Sequence, residues 1–327
     1  MKQISRRASL VSAVIVLVAV TAPALVAVSS VAAETSGVEL GPNADLKGIR
    51  LLPDDSPWHV DVSGAAVDSR SDAIMARIGL DTTLHPDFGT EWEGAPIGIP
   101  YVVVNGDQAK VPVTFTYADE SDPGPYPIPP NPPIEGGPDG DGDRHVLILD
   151  RDSWKLWELF NARPNGEGWT ADSGAVWDLK TNEVRPPRWT SADAAGLPIL
   201  PGLIRHDEII GKKSLDHAVR FTVAKTRQAY ISPASHWASE HLDDDLPPMG
   251  MRIRLKADYD VSSFAPEIQV ILQGLKTYGM ILADNGSNLF ISGAPDPRWN
   301  DDTLRQLKRV TAQDLEVVEM KDVVTRP

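Results

Sequence analysis

Two glutamates are the strongest candidates for chemistry. Glu158 lies in Trp154-Lys155-Leu156-Trp157-Glu158-Leu159-Phe160, where strand alternation puts it on one face with Trp154, Leu156 and Phe160. A carboxyl group on an apolar, aromatic face has a raised pKa and can donate a proton, as a glycosidase acid must. The alternative is a buried glutamate tied to an arginine. Glu208 lies in Arg205-His206-Asp207-Glu208-Ile209-Ile210, after the proline-bracketed stretch Leu197 to Gly202. Glu158 and Glu208 facing each other across a groove would make a two-carboxylate hydrolytic site, with Asp207 and His217 in support. The competing reading of 205–208 is a solvated turn, and that of His217, on the apolar face of its strand, a satisfied core histidine.

Residues suited to binding are dispersed. Trp154, Trp189 and Trp237 offer flat faces for sugar rings, although tryptophans also staple loops to a core. Asp284 precedes an Asn285-Gly286 turn, and His85-Pro86-Asp87 forms a compact loop in which Asp87 could orient His85. Asp139, Asp141 and Asp143 alternate with glycine like the start of a calcium loop, with Asp150 at the twelfth position. Arg144 stands where that loop needs glycine, so an acidic solvated turn is the stronger reading. Ca2+ is thus an optional ligand, and the chemistry requires no cofactor.

Other chemistries lack their residues. There is no cysteine, which excludes thiol catalysis, disulfides and cysteine-metal sites. No Gly-x-Ser-x-Gly, His-Glu-x-x-His, phosphate-loop or dinucleotide-loop motif occurs. The chain has 31 basic and 46 acidic side chains, a net charge of −15. That charge disfavours nucleic acid, anionic membranes and anionic polymers unless a local basic groove exists. Neutral polysaccharides or oligosaccharides fit better.

The elements that must position these residues are mostly strands. Residues 1–33 read as a signal peptide: Ser5-Arg6-Arg7, an apolar run from Ala8 to Val28, and a small-residue exit at Val31-Ala32-Ala33. The paired arginines resemble a twin-arginine signal; an uncleaved membrane anchor is the rival reading. Cleavage would remove Lys2, Arg6 and Arg7 and take the net charge from −15 to −18, and would leave a secreted protein with no stable membrane insertion. Residues 34–327 then read as one β-sandwich domain with a proline-rich arm over 119–143. Strands are expected at 99–104, 111–117, 145–149, 154–160, 174–179, 216–224, 251–257, 280–283, 289–292 and 315–320. The first two are expected to pair as a hairpin, and Asn285-Gly286 to form a hairpin or tight loop between 280–283 and 289–292. Helices are expected over 68–80, 191–196, 266–278 and 301–309. Many short strands with few helices predict an all-β, jelly-roll-like sandwich with a few peripheral helices.

The strings Ile99-Pro100-Tyr101-Val102-Val103-Val104, Asp143 to Asp152, Trp189 to Pro198 and Tyr278 to Ser287 together resemble a family of secreted bacterial proteins. The likeness runs from about Trp58 onward. It implies export and one continuous domain, and it brings no activity or catalytic residues with it. The function expected is an exported carbohydrate-active protein, a glycoside hydrolase using paired carboxylates. The alternative is a non-catalytic carbohydrate-binding or cell-envelope interaction module.

Overall fold

The computed structural model describes residues 37–326. The expected signal peptide lies outside them. Among the described residues no helix is long and apolar enough to cross a membrane.

Strands take 26% of the chain and helices 17%, in several sheets that do not close into a barrel, so the mainly-β expectation holds. The first large sheet has the order Gly41–Pro42, Tyr101–Val104, Val146–Asp150, Lys155–Phe160, Ser173–Asp178. The second has the order Leu315–Val317, Arg252–Leu255, Met280–Asn285, Val219–Val223, Phe290–Ser292, His85–Asp87. Each contains parallel pairs: Tyr101–Val104 with Val146–Asp150 in the first, and Val219–Val223 with Met280–Asn285 in the second. This mixed order does not establish the antiparallel jelly-roll arrangement.

The first sheet reads as continuous apolar runs because both its faces are covered. One face, with Tyr101, Val103, Leu147, Leu149 and Leu156, packs on Leu46, Leu51, Ile199 and Leu200. The other, with Val102, Val104, Ile148 and Trp157, packs under Tyr126 and Ile128 of the proline-rich arm. The arm is pinned there by two reciprocal backbone bonds between Val111 and Tyr126, at 2.9 and 3.0 Å. Double coverage also explains why Trp154 and Trp157, pointing to opposite faces, are both buried.

The second sheet has one apolar face, formed by Val219, Phe221, Ile253, Leu255, Met280 and Leu282. It is covered by Ile268, Ile271, Leu272 and Leu275 of the helix Pro266–Thr277. Proline in its first turn and the Ile/Leu stripe at helical spacing specify that helix. Its opposite face carries Arg252, Arg220 and Asp87 on alternate strands.

The strand positions hold, but the hairpin expected at Asn105-Gly106 does not form, and Asn285-Gly286 is a tight loop rather than a hairpin. Val113–Phe115 pairs in parallel with Gly168–Ala171, because Gly41–Pro42 and Val146–Asp150 take both edges of Tyr101–Val104. Met280–Asn285 and Phe290–Ser292 do not pair with each other, since Val219–Val223 lies between them. The expected helix at 191–196 is a non-helical turn closed by Ser191 Oγ accepting from Asp193 N at 2.9 Å. Gly196 ends it at φ +72°, where a Cβ would collide with Ser235 Oγ and the Trp189 carbonyl.

Arg252 is the least compensated charge on the polar face. Its Nη2 donates to the Pro57 carbonyl at 2.9 Å, its Nε has no partner, and burial alone lowers its pKa to about 10. A desolvated cation without an anion is a stability cost. Arg252→Met therefore leaves thermal stability unchanged or raises it, as read by Tm; a fall of more than a few degrees would contradict this account.

Candidate functional site

Arg220 points from the second sheet into the space between that sheet, the arm and the 190–205 loop. Asp193 receives it on both oxygens, at 2.7 Å from Nε and 2.8 Å from Nη2. Nη1 donates to Ser292 Oγ at 2.7 Å, and Nη2 reaches Asp284 Oδ2 at 3.3 Å. Asp193 is fully enclosed, whereas the Asp284 side chain keeps 21% of its surface exposed. One guanidinium nitrogen thus serves two carboxylates, the inner one more tightly.

The consequence is a retained proton. Burial, then repulsion by Asp193, raises the Asp284 pKa to about 7 against the pull of Arg220. Asp284 lines a cavity of about 350 Å3 with Asp193, Phe160, Tyr117, Glu120 and His236. His236 Nδ1 lies 2.7 Å from the Ala194 carbonyl, an acceptor, so this nitrogen carries a proton. Glu120 accepts from Thr190 N at 3.1 Å. A carboxyl group with a raised pKa, an imidazole and a second carboxyl group therefore share one cavity, a set suited to general acid–base chemistry.

Beside Arg220 lies a second ion pair. His145 Nδ1 contacts Glu135 at 2.5 Å and Nε2 contacts the Ala192 carbonyl at 3.0 Å. Both partners are acceptors, so the ring must be an imidazolium. Burial opposes that charge, but Glu135 outweighs it and holds the pKa at about 9. Burial would likewise raise Glu135, yet His145 lowers it. Glu135 also borders a cavity of about 570 Å3 with His85, Asp87, Phe88 and Trp92. The His85 ring stacks on Phe290 at 3.9 Å, and Trp92 stands 68% exposed. Asp87 keeps an exposed edge in the cavity mouth, but its enclosure, then Glu135, raises its pKa.

The residues singled out from sequence separate into enclosed and open groups. Glu158 is wholly buried, and its carboxyl accepts from Ile199 N at 2.9 Å, Leu200 N at 3.0 Å and Trp177 Nε1 at 3.0 Å. Burial raises its pKa to about 7 against those three donors. Glu208 is tied to Arg205 Nη2 at 2.7 Å and lies 3.3 Å from His217 Nε2. Burial opposes ionisation of Glu208, but Arg205 and then His217 lower its pKa. Asp207 accepts from Gly48 N at 2.7 Å, and burial raises its pKa. The stretch 205–210, read as a solvated turn or reaction loop, is a largely buried turn of π-helix over Asp207–Lys212. Glu158 and Glu208 share no hydrogen-bond partner, and neither borders the larger cavities.

Trp154 is also enclosed, its Nε1 donating to the Leu51 carbonyl at 3.0 Å, so its ring serves the core rather than a ligand. Trp189 and Trp237 line a cup of about 490 Å3 that shares Glu120 and His236 with the Asp284 cavity. In the acidic loop, Asp139, Asp141 and Asp143 turn outward. Arg144 Nη1 donates to the Pro138 and Gly140 carbonyls at 3.0 and 2.6 Å, so a guanidinium takes two backbone oxygens of the kind a calcium loop would offer. Glu135, Asp143 and His145 place ligand atoms within 4.8 Å of one another, but the His145 imidazolium has no free lone pair to offer a cation.

Sequence reasoning thus missed Glu135, His145, Asp193 and Arg220. Only Arg220 carried a local signal, a charge in the otherwise apolar Val219–Val223 strand. Comparisons with protein-family models, curated proteins and solved structures return no match.

Two consequences follow from these shifts. Arg220→Met leaves Asp193 and Asp284 buried without their cation, and it lowers unfolding free energy by about 3–5 kcal/mol in a denaturant titration. The pH dependence has a definite sign. Glu158 and Asp284 are raised from 4.5 and 3.8 to about 7, and His145 from 6.5 to about 9. At these three groups the folded state holds more protons than the unfolded one, so their contribution to stability falls as pH rises from about 4.5 to 9, while His59, His85 and His206, lowered first by burial, act in the opposite direction near neutrality. Glu158→Gln flattens the part of that slope between pH 4.5 and 7, measured as Tm against pH. An unchanged slope would show that Glu158 is ionised throughout.

Proposed function

We propose that this chain is an exported carbohydrate-active enzyme that hydrolyses glycosidic bonds in the Asp284 cavity. The observation that carries the reading is the placement of Asp284. It is the carboxyl group with a pKa near 7 that also borders a cavity. Glycoside hydrolysis needs a carboxylic acid that is protonated at working pH and a second group that activates water or attacks carbon. Asp284 suits the first role; Glu120 and His236 on the same cavity suit the second. Arg220 keeps Asp284 oriented, and repulsion by Asp193 keeps its proton in place. The exposed Tyr117 and the half-buried Phe160 offer aromatic surface at the cavity edge for a sugar ring.

This reading relocates the acid from the enclosed Glu158 to Asp284. Glu158 and Glu208, with Asp207 and His217, then stabilise the fold that carries the site. The non-catalytic binding reading has its own support in the cup lined by Trp189 and Trp237, which would hold a sugar whether or not a bond is broken.

The test is release of reducing ends from a panel of polysaccharides and oligosaccharides. Asp284→Asn is expected to reduce turnover by about three orders of magnitude with Tm retained, the scale of a lost general acid. Glu158→Gln is expected to retain turnover in the folded fraction. The opposite pattern would return the acid to Glu158. Binding by the wild type with no release from any polymer would favour the binding module.

A further inference from the structure

The cup beside the Asp284 cavity has features that a loop staple does not need. Its walls are Arg188, Trp189, Trp237 and Gln228, with Arg326 and Asp119 at the edge. Each tryptophan is backed by protein on one side. The Arg185 guanidinium lies 5.4 Å from the Trp189 ring centroid, and Tyr230 stacks on Trp237 at 5.6 Å and 29°. Both rings still border the cup. A supported aromatic surface beside hydrogen-bonding side chains is the usual construction of a sugar subsite.

Arg188 is placed there against backbone preference. Trp189 N donates to the Pro186 carbonyl at 3.0 Å, which closes a turn with Pro187 and Arg188 at its centre. Arg188 has φ +72°. Proline followed by a positive φ defines a type II turn, whose third residue is ordinarily glycine. The strained residue is locked by its own N–H, which donates to the Ser235 carbonyl at 2.6 Å, and by Ser235 Oγ, which donates to the Trp189 carbonyl at 3.0 Å. Among the described residues no carboxylate lies within ion-pair distance of the Arg188 guanidinium. Glu120, which also lines the cup, already accepts from Thr190 N.

We infer that the cup is a subsite for a sugar unit carrying an anionic substituent, a carboxylate or a sulfate ester, with Arg188 as its recognition residue. The inference rests on the hydrolase reading for the neighbouring cavity and narrows its substrate class. The substrate becomes a largely neutral glycan with an acidic unit next to the bond that is cleaved. Arg188 supplies a planar fork that matches either oxyanion. The excess of negative charge elsewhere on the protein would repel a uniformly anionic polymer, which confines anion recognition to this one position. Asp119 opposes it locally.

The test reads binding apart from turnover, by calorimetry on the Asp284→Asn protein. The probes are xylotetraose, xylotetraose with one glucuronic acid branch, the same branch carboxyl-reduced, and neutral tetrasaccharides carrying one sulfate ester. An acidic probe is expected to bind about tenfold more tightly than its neutral twin, a difference of about 1.4 kcal/mol. Adding Arg188→Gly abolishes that preference while Tm stays level or rises, because glycine relieves the positive φ. Adding Asp119→Asn instead strengthens it. Whether carboxylate or sulfate is preferred identifies the substituent. Equal binding of acidic and neutral probes, a preference that survives Arg188→Gly, or no Arg188-dependent binding by any probe overturns the inference. If turnover depends on Asp284 without an anion preference, the hydrolase reading stands and this one falls. Arg188-dependent anion binding in a wild type that releases no sugar leaves the reverse.

Discussion

The arrangement depends on one buried cation. Arg220 has left water almost completely, and an unpaired guanidinium there would cost several kcal/mol. Asp193 compensates it with two parallel bonds, which fixes the 190–205 loop against the second sheet. Ser292 takes a third donor and ties in the neighbouring strand. What remains for Asp284 is a longer contact to a nitrogen already in use. The same electrostatics that stabilise the loop leave the outer carboxyl group protonated near neutrality, at the wall of a cavity. Here structural and chemical roles are two results of one charge count.

A comparison of Asp284 with Glu158 shows why pKa alone does not mark a reactive group. Both are raised to about 7, in each case first by burial. Glu158 receives three donors, two of them consecutive backbone N–H groups. It secures Ile199 and Leu200 as Asp193 secures the chain a few residues earlier. Glu208 then binds Arg205 in the next turn. The chain from Ser191 to Asp207 contains no strand and one short 3-10 turn. Buried carboxylates supply the fixed bonds that a sheet ladder would otherwise give. Their chemistry is spent on the protein's own backbone.

The sequence was legible wherever one local property decided the outcome. Runs such as Val146–Asp150 announced strands because both faces are buried, and Pro266 with its Ile/Leu stripe announced a helix. Pairing was less legible. Tyr101–Val104 and Val113–Phe115 look like a hairpin around Asn105-Gly106, but partners distant in sequence offer the first strand more apolar contact. The site was the least legible. Asp284 could be singled out from its position at a strand end, and Trp189 and Trp237 from their loops. Glu135, His145, Asp193 and Arg220 come from an arm, a strand start, a loop and a strand interior, and no spacing rule joins them. Glu158 misled because an apolar aromatic strand face describes a closed core as well as a catalytic pocket; the donors that close it come from residues 177, 199 and 200.

The chain's charge bears on this balance as well. An excess of carboxylates over basic groups gives the molecule a negative potential, which favours proton retention at every partly buried acid. Asp284 and Asp87, in separate cavities, are both raised. Each borders space in which a ligand would displace water and remove what remains of the solvent that stabilises the charged form. Ligand entry should therefore strengthen the protonation of Asp284, which under the proposed hydrolysis is when a leaving oxygen needs a proton. Asp193 cannot substitute, since it is enclosed and held by Arg220 on both oxygens. The fold thus gives two carboxyl groups on one cation different surroundings, one enclosed and held on both oxygens and the other at the cavity wall with its pKa raised.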